Sequence, residues 1–349
     1  MFTIYEVQTQ SRRTLVSRVA KLILFLFVIV IQSQQLHATI WRVNNNGDTT
    51  ADFLELSEAT ASQNVASGDT IHLEGSPTRY NTAVISKRLV ILGPGYFLAE
   101  NPDTQHLTLE STVSVDMRSG AEGTVLDGIT LRIRSSTISL SVDNMVIQHC
   151  RLSGETVLGG EHIIFAGNYV EAKLRTENNN IIRNNYILGG IDDGGSNCTI
   201  ENNVFGTESN RQTNGSLFYV GADHSIIRNN IFTGEDASIS IIIGDGNVIE
   251  HNLTTLDQLE TIDGNLNNVD LSSVFVGPNG NSTDGQWQLA ENSPAIEAGA
   301  NNSDMGMFGG NSPYRLSGIP MIPRIIELDV PTQTSQEAGL TVRIKAASN

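Results

Sequence analysis

With two cysteines, nine prolines, an aromatic share of 6% and 21 basic residues among 349, the chain is poor in groups that many folds and sites depend on. Two thiols, Cys150 and Cys198, cannot build a disulfide framework or a four-cysteine zinc site. The histidines do not fall at metal-ligand spacing. His149 and His251 stand at turn positions, and His224 precedes a strand-like run. Scarce aromatics leave little for an open sugar-stacking platform; Phe218 and Tyr219 are the candidates, with burial as their expected fate. The shortage of base is the most informative absence. Against 38 Asp and Glu it gives a formal charge of −17, which argues against nucleic acid or an anionic membrane surface as partner. It also suits polyanionic sugars badly, unless a bound cation such as Ca2+ inverts the local field. Neither a phosphate-binding loop nor a nucleophile motif is present.

Residues 1–38 read as an export signal. Arg12, Arg13, Arg18 and Lys21 precede an apolar run, Leu22 to Ile31, that is short for a bilayer span. Leu36-His37-Ala38 offers a cleavage site, with Leu a poorer choice than a small residue at its first position. The other reading is an uncleaved N-terminal anchor. Without these residues the chain carries 17 basic against 37 acidic groups, a charge of −20, and belongs outside the cytoplasm or at the cell surface.

What the chain has in abundance is a repeat. Ile181-Ile182-Arg183-Asn184-Asn185-Tyr186-Ile187 returns as Thr199-Ile200-Glu201-Asn202-Asn203-Val204-Phe205 and as Ile226-Ile227-Arg228-Asn229-Asn230-Ile231-Phe232. Looser copies centre on Ile129, Cys150, Asn168 and Asn252, so the fifth positions step by 21, 18, 17, 18, 27 and 22 residues. That period belongs to stacked repeats. Each unit offers only short strand-like runs and no helical periodicity, and it buries an apolar face only against its neighbours. The expected fold is all-β, a right-handed parallel β-helix. Asn168, Asn185, Asn203, Asn230 and Asn252 then form a structural ladder, amide on amide, with left-handed angles at a bend. An Asn-rich row binding sugar is the competing reading, but a binding site needs different residues on adjacent coils. Cys150 lies on the ladder position and Cys198 off it, too far apart to bridge.

Residues 39–318 form the β-helix, with an N-terminal cap at 40–68 and a closing segment at 293–318. In the cap, Trp41-Arg42-Val43 is a first strand, and Asp52 caps a helix that puts Phe53, Leu56, Ala59 and Val65 over the open end of the apolar column. The long step after Asn203 marks a loop from Gly206 to Gly215. Phe275-Val276-Gly277-Pro278 and Trp287-Gln288-Leu289 read as the last strands. Pro320 and Pro323 open a linker within 319–349, and Arg324–Val330 with Leu340–Ala346 alternates as a terminal β-hairpin.

Gly68-Asp69-Thr70-Ile71, Gly93-Pro94-Gly95-Tyr96-Phe97-Leu98, the Asn-Asn coils, Ser293-Pro294-Ala295-Ile296 and Asp304-Met305-Gly306-Met307-Phe308-Gly309-Gly310 together resemble secreted bacterial β-helix proteins of the pectin-lyase-like superfamily, in a functionally uncharacterised branch. The likeness covers roughly residues 40–318. It implies the fold and leaves the chemistry open, because the superfamily includes lyases, hydrolases, tailspikes and adhesins. The motifs of family hydrolases are Asn-Thr-Asp, Asp-Asp, Gly-His-Gly and Arg-Ile-Lys. Only Asp192-Asp193 and Arg343-Ile344-Lys345 occur here, the latter far outside the coils, so that match fails.

A lyase needs a base and a cationic group facing a uronate. The one constellation of that kind lies just past the ladder. Glu155 and Lys173 each follow a ladder residue by five, and Arg175 and Asp192 each follow one by seven. In register, Glu155 stacks on Lys173 and Arg175 on Asp192, with Glu171 and Asp193 beside them. Lys173, Arg175 and Asp192 are the catalytic candidates, and Glu155, Glu171 and Asp193 would contact substrate, with Ca2+ as cofactor. The alternative is a set of cross-strand salt bridges on a non-enzymatic scaffold that contacts a polysaccharide or cell-surface glycan, with no cofactor.

Overall fold

The computed structural model describes residues 38–47, 50–208, 210–211, 217–331, 333 and 339–347. The expected export signal lies, except for Ala38, outside the described residues. Among them no helix is long and apolar enough to cross a membrane.

The chain coils into a parallel β-solenoid. Its first face is a sheet of ten strands, from Ile40–Val43, Thr70–Leu73 and Val90–Leu92 through Ile181–Arg183 to Ile226–Arg228 and Val248–Glu250. Each strand pairs in parallel with the next coil without a register slip. The central residue of each strand points inward. Ile71, Ile91, Leu126, Ile147, Phe165, Ile182, Ile200 and Ile227 are fully buried, and each such burial is worth roughly 1.5–3 kcal/mol. The first residue points outward, and it is β-branched in every coil. Ile40, Thr70, Val90, Val125 and Val146 continue as Ile164, Ile181, Thr199, Ile226 and Val248. The second face runs from Thr112–Val113 to Leu253–Thr254, and shorter pairings such as Leu217–Gly221 with Ser240–Ile243 make a third.

Two left-handed residues bracket most first-face strands. Asn179 precedes Ile181 with φ 61° and Asn184 follows Arg183 with φ 54°; the same places hold Asn197 and Asn202, or His224 and Asn229. Asn, His and Gly carry these bends because positive φ costs them least. The bend is thus at the fourth repeat position. The fifth-position asparagines, expected to adopt left-handed angles themselves, have negative φ and turn inward.

The helix of the cap spans Leu56–Ala61 and buries Leu56 and Ala59. It starts later than expected. Asp52 instead accepts from the Arg42 amide at 2.8 Å, while Glu58 reaches back to the Leu54 and Glu55 amides at 3.1 and 3.3 Å. At the other end, the Gln258 amide imitates one more coil. Its Oε1 accepts from Ile241 N at 2.9 Å, and its Nε2 donates to Ile239 O at 2.9 Å.

Past the last coil, Leu256 and Leu259 pack on the main core before the chain leaves the stack. It turns and runs back along the second face as a strap. His251 Nδ1 donates to Ala298 O at 3.0 Å, and Asn229 Oδ1 accepts from Ala300 N at 2.8 Å. Asn202 donates to Asp304 O at 3.0 Å, and Asn184 to Met307 O and Gly309 O at 3.0 and 2.7 Å. The Tyr96 amide, near the start, donates to Ser317 O at 2.8 Å. The fourth-position residues therefore do two jobs, bending the chain and gripping the strap. Beneath it lies a second core, where Tyr169, Tyr186, Val204 and Ile231 meet Val274, Met305, Met307 and Tyr314. Phe275 and Trp287, expected in terminal strands, belong to this strap, and only a single antiparallel bridge joins Phe275 to Leu289. A buried carboxylate pins it: Asp284 accepts from Asn101, Ser282, Tyr314 and the Ser317 amide at 2.6–3.1 Å.

The terminal hairpin is present as Arg324–Asp329 against Arg343–Ala347. It docks through His106 N to Ile325 O at 2.9 Å and Arg324 Nε to Thr104 O at 2.8 Å. Its apolar residues stay open, with Ile344 61% exposed. In the expected loop after Gly206, Asn210–Arg211 pairs antiparallel with Leu217 and Phe218; residues 209 and 212–216 lie outside the described residues.

Candidate functional site

Three polar arrays run across the coils, two of them internal and one exposed. The first is the asparagine ladder. Asn168, Asn185, Asn203, Asn230 and Asn252 are completely buried. From Asn185 on, each carbonyl oxygen takes both the backbone and the side-chain N–H of the asparagine one coil earlier. Asn185 Oδ1 accepts from Asn168 at 2.8 and 3.0 Å, and Asn203 Oδ1 from Asn185 at 3.0 Å twice. The second side-chain proton goes to a strand carbonyl, as from Asn185 to Phe165 O at 3.0 Å. Every group is satisfied and nothing is left for a ligand, so this row is scaffold. Cys150 begins it, its amide donating to Asn168 Oδ1 at 2.9 Å. Asn265 ends it, accepting from Asn252 at 2.8 Å.

A second internal row was not anticipated. It occupies the residue just before each first-face strand. Asn180 Oδ1 accepts from Ile163 N at 2.7 Å, Ser225 Oγ from Cys198 N at 3.0 Å, and Asn247 Oδ1 from Ser225 N at 2.9 Å. Both cysteines are buried and unpaired, on different rows. Burial raises both thiols above their ordinary value.

The charged candidates split into three groups. Lys173 Nζ sits between Asp192 Oδ2 at 3.2 Å and Glu155 Oε1 at 3.7 Å, so the expected Glu155–Lys173 stack is there. Arg175 does not pair with Asp192 as the offsets implied; its guanidinium reaches Asp193 at 3.2 Å. The cause is local. Asp193 takes a left-handed bend, φ 58°, which offers its carboxylate to Arg175, and Asp192 is engaged by Lys173. Glu171 stands apart on the second face. It holds Arg151 at 2.6 Å and the Ser153 hydroxyl at 2.6 Å, and Arg151 in turn lies 4.6 Å over the Phe97 ring. A β-bulge at Gly154, between Ser153 and Glu155, carries that strand from one face to the next and separates Glu171 from Lys173.

Arg175, Asp192 and Asp193 line an open groove of about 770 Å³ with Glu177 and Asp223. Among the described residues, no group of three or more His, Cys, Asp or Glu side chains is placed to hold a metal ion. His149 bonds Asp127 at 2.8 Å, which occupies the one ring nitrogen facing an acid. Phe218 and Tyr219 are buried and form no platform. Part-exposed aromatics include Trp41 and Phe53 in the cap and Phe308 on the strap; Phe275 and Trp287, also on the strap, lie beside Glu235 in a shallow groove of about 700 Å³. No repeat signal marks them, and one face of Trp287 is already stacked on Tyr186 at 4.7 Å. Comparison of the chain with family models, curated proteins and solved structures gave no match, so these arrangements rest on the molecule's own geometry.

Proposed function

We propose that the protein is an exported, non-enzymatic β-helix scaffold of the pectin-lyase-like kind, working at the cell surface or outside the cell in contact with glycans or other envelope components. The observation that carries this reading is the state of Lys173. An eliminating base must be free to take a proton, and it must face a cation or basic group that neutralises the substrate carboxylate. Lys173 is held between two acids, and its neighbour Arg175 is held by a third. Opposite charges set this way largely cancel and hold one another in place.

The test is a screen of the purified chain against pectate, alginate, glycosaminoglycans and neutral polysaccharides, with and without Ca2+. The expected result is retention of a glycan without cleavage. Ultraviolet absorbance of unsaturated uronate products, dependent on Ca2+ and lost in Lys173→Ala and Asp192→Ala, would replace the scaffold reading with a cation-dependent lyase.

A further inference from the structure

The outward side of the first face is unlike the rest of the molecule. Its ten first-position residues, from Ile40 to Val248, are β-branched without exception, and they stack in unbroken register. Ten strands about 4.8 Å apart make a stripe about 43 Å long. Ile40 is 69% and Val248 52% exposed, and Ile181 and Ile226 are also open. Beside the stripe runs a column of third-position residues. Its charged members are Arg42, Arg183 and Arg228 against Asp127, Glu201 and Glu250, which balance in a chain of formal charge −17. The acid surplus lies on other surfaces.

A β-branched stripe beside a column of mixed charge fits a surface of the same length and pitch, and a second copy of this chain supplies one. We propose that two copies associate through their first faces with solenoid axes antiparallel. The symmetry follows from the layout. A two-fold axis along the strand direction lays stripe on stripe and charged column on charged column, with the first coil over the tenth. A two-fold axis along the solenoid, placed over the stripe, would also lay stripe on stripe but would leave both charged columns outside the contact. In the antiparallel arrangement Arg42 of each copy meets Glu250 of the other, Glu201 meets Leu92, and Arg228 meets His72. Burial of His72 lowers its pKa, so that neighbour is neutral. Asp127 is buried against His149 and Gln148, so Arg183 meets no acid across the interface. No acid faces an acid.

The stripe and its column bury on the order of 1,000 Å² in total, at the lower edge of specific interfaces, so the dimer is weak and reversible. Net negative charge on both bodies opposes it, and salt strengthens it by screening that repulsion.

Sedimentation of the full chain over a concentration series tests this. Monomer–dimer exchange that strengthens with salt is expected, and Ile181→Lys with Ile226→Lys should weaken it by about tenfold or more. A register test does not depend on those variants folding well. Val90 lies opposite Thr199 of the other copy, so a chain carrying Val90→Cys and Thr199→Cys should oxidise to a covalent dimer, while each single variant stays monomeric. A chain that remains monomeric at roughly 200 µM overturns the proposal. So does dimerisation unaffected by the lysine variants, or cross-linking by the single cysteines as efficient as by the pair.

Discussion

The asparagine ladder and the Lys173 cluster are built on the same plan, polar side chains repeated at matched positions on successive coils, yet they carry different weight. In the ladder every donor and acceptor is sealed from water, and each amide depends on its neighbours. In the cluster, Lys173, Arg175 and Asp193 are 38%, 43% and 75% exposed, so water replaces any partner that is lost. Repetition alone says nothing of importance; burial decides it.

Breaking the ladder should have the largest effect. Asn185→Leu or Asn203→Leu strands the donors of the preceding coil and is expected to destabilise by about 1–3 kcal/mol, measured by denaturant unfolding. Next comes Asp69, a part-way case at the entrance to the coil. Desolvation alone would raise its pKa, but hydrogen bonds from Trp41, Thr39 and Ala66 outweigh it and lower it below the ordinary carboxylate value. A depressed folded pKa means stability that is present above the unfolded value and is lost as pH falls through the folded one. Asp69→Asn should therefore lower the melting temperature at neutral pH. The gap from the parent chain should close as pH drops below about 4.

On the exposed array, Lys173→Ala and Asp192→Ala should each shift stability by under about 1 kcal/mol and leave glycan retention unchanged. A loss as large as that of a ladder variant would erase the distinction between the two arrays. The smallest effect concerns the thiols. Cys150 and Cys198 are buried with raised pKa values, so a thiol reagent should label neither in the folded chain and both in denaturant, as read by mass spectrometry.

Much of the solenoid was legible because its signal is periodic. The fifth-position asparagines repeat one residue type at one spacing, and the structure puts them in one row. The second internal row escaped notice because its members differ, Asn180, Cys198, Ser225 and Asn247, although the geometry they serve is the same. The strap left no such trace. It is held by Asn184, Asn202 and Asn229 donating to or accepting from its backbone, and a backbone carbonyl has no sequence signature. Hence Ser293–Gly318 read as an end closure when it is a return path. Among the charged candidates, spacing found the Glu155–Lys173 neighbours. It could not foresee that the bend at Asp193 and the bulge at Gly154 would re-aim Arg175 and isolate Glu171.

The strap also changes how the molecule must assemble. A plain solenoid is a nearest-neighbour object, in which coils form in any order and each feels only the next. Here Tyr96 bonds Tyr314 at 2.7 Å across 218 residues, and Asn101 bonds Asp284 across 183. The flank of the early coils is sealed only when nearly the last part of the chain arrives. Contacts this distant in sequence slow folding and couple the two ends. A chain emerging N-terminus first therefore waits, with its opening coils bare along one side, until its final quarter comes home and locks the array into a single cooperative unit.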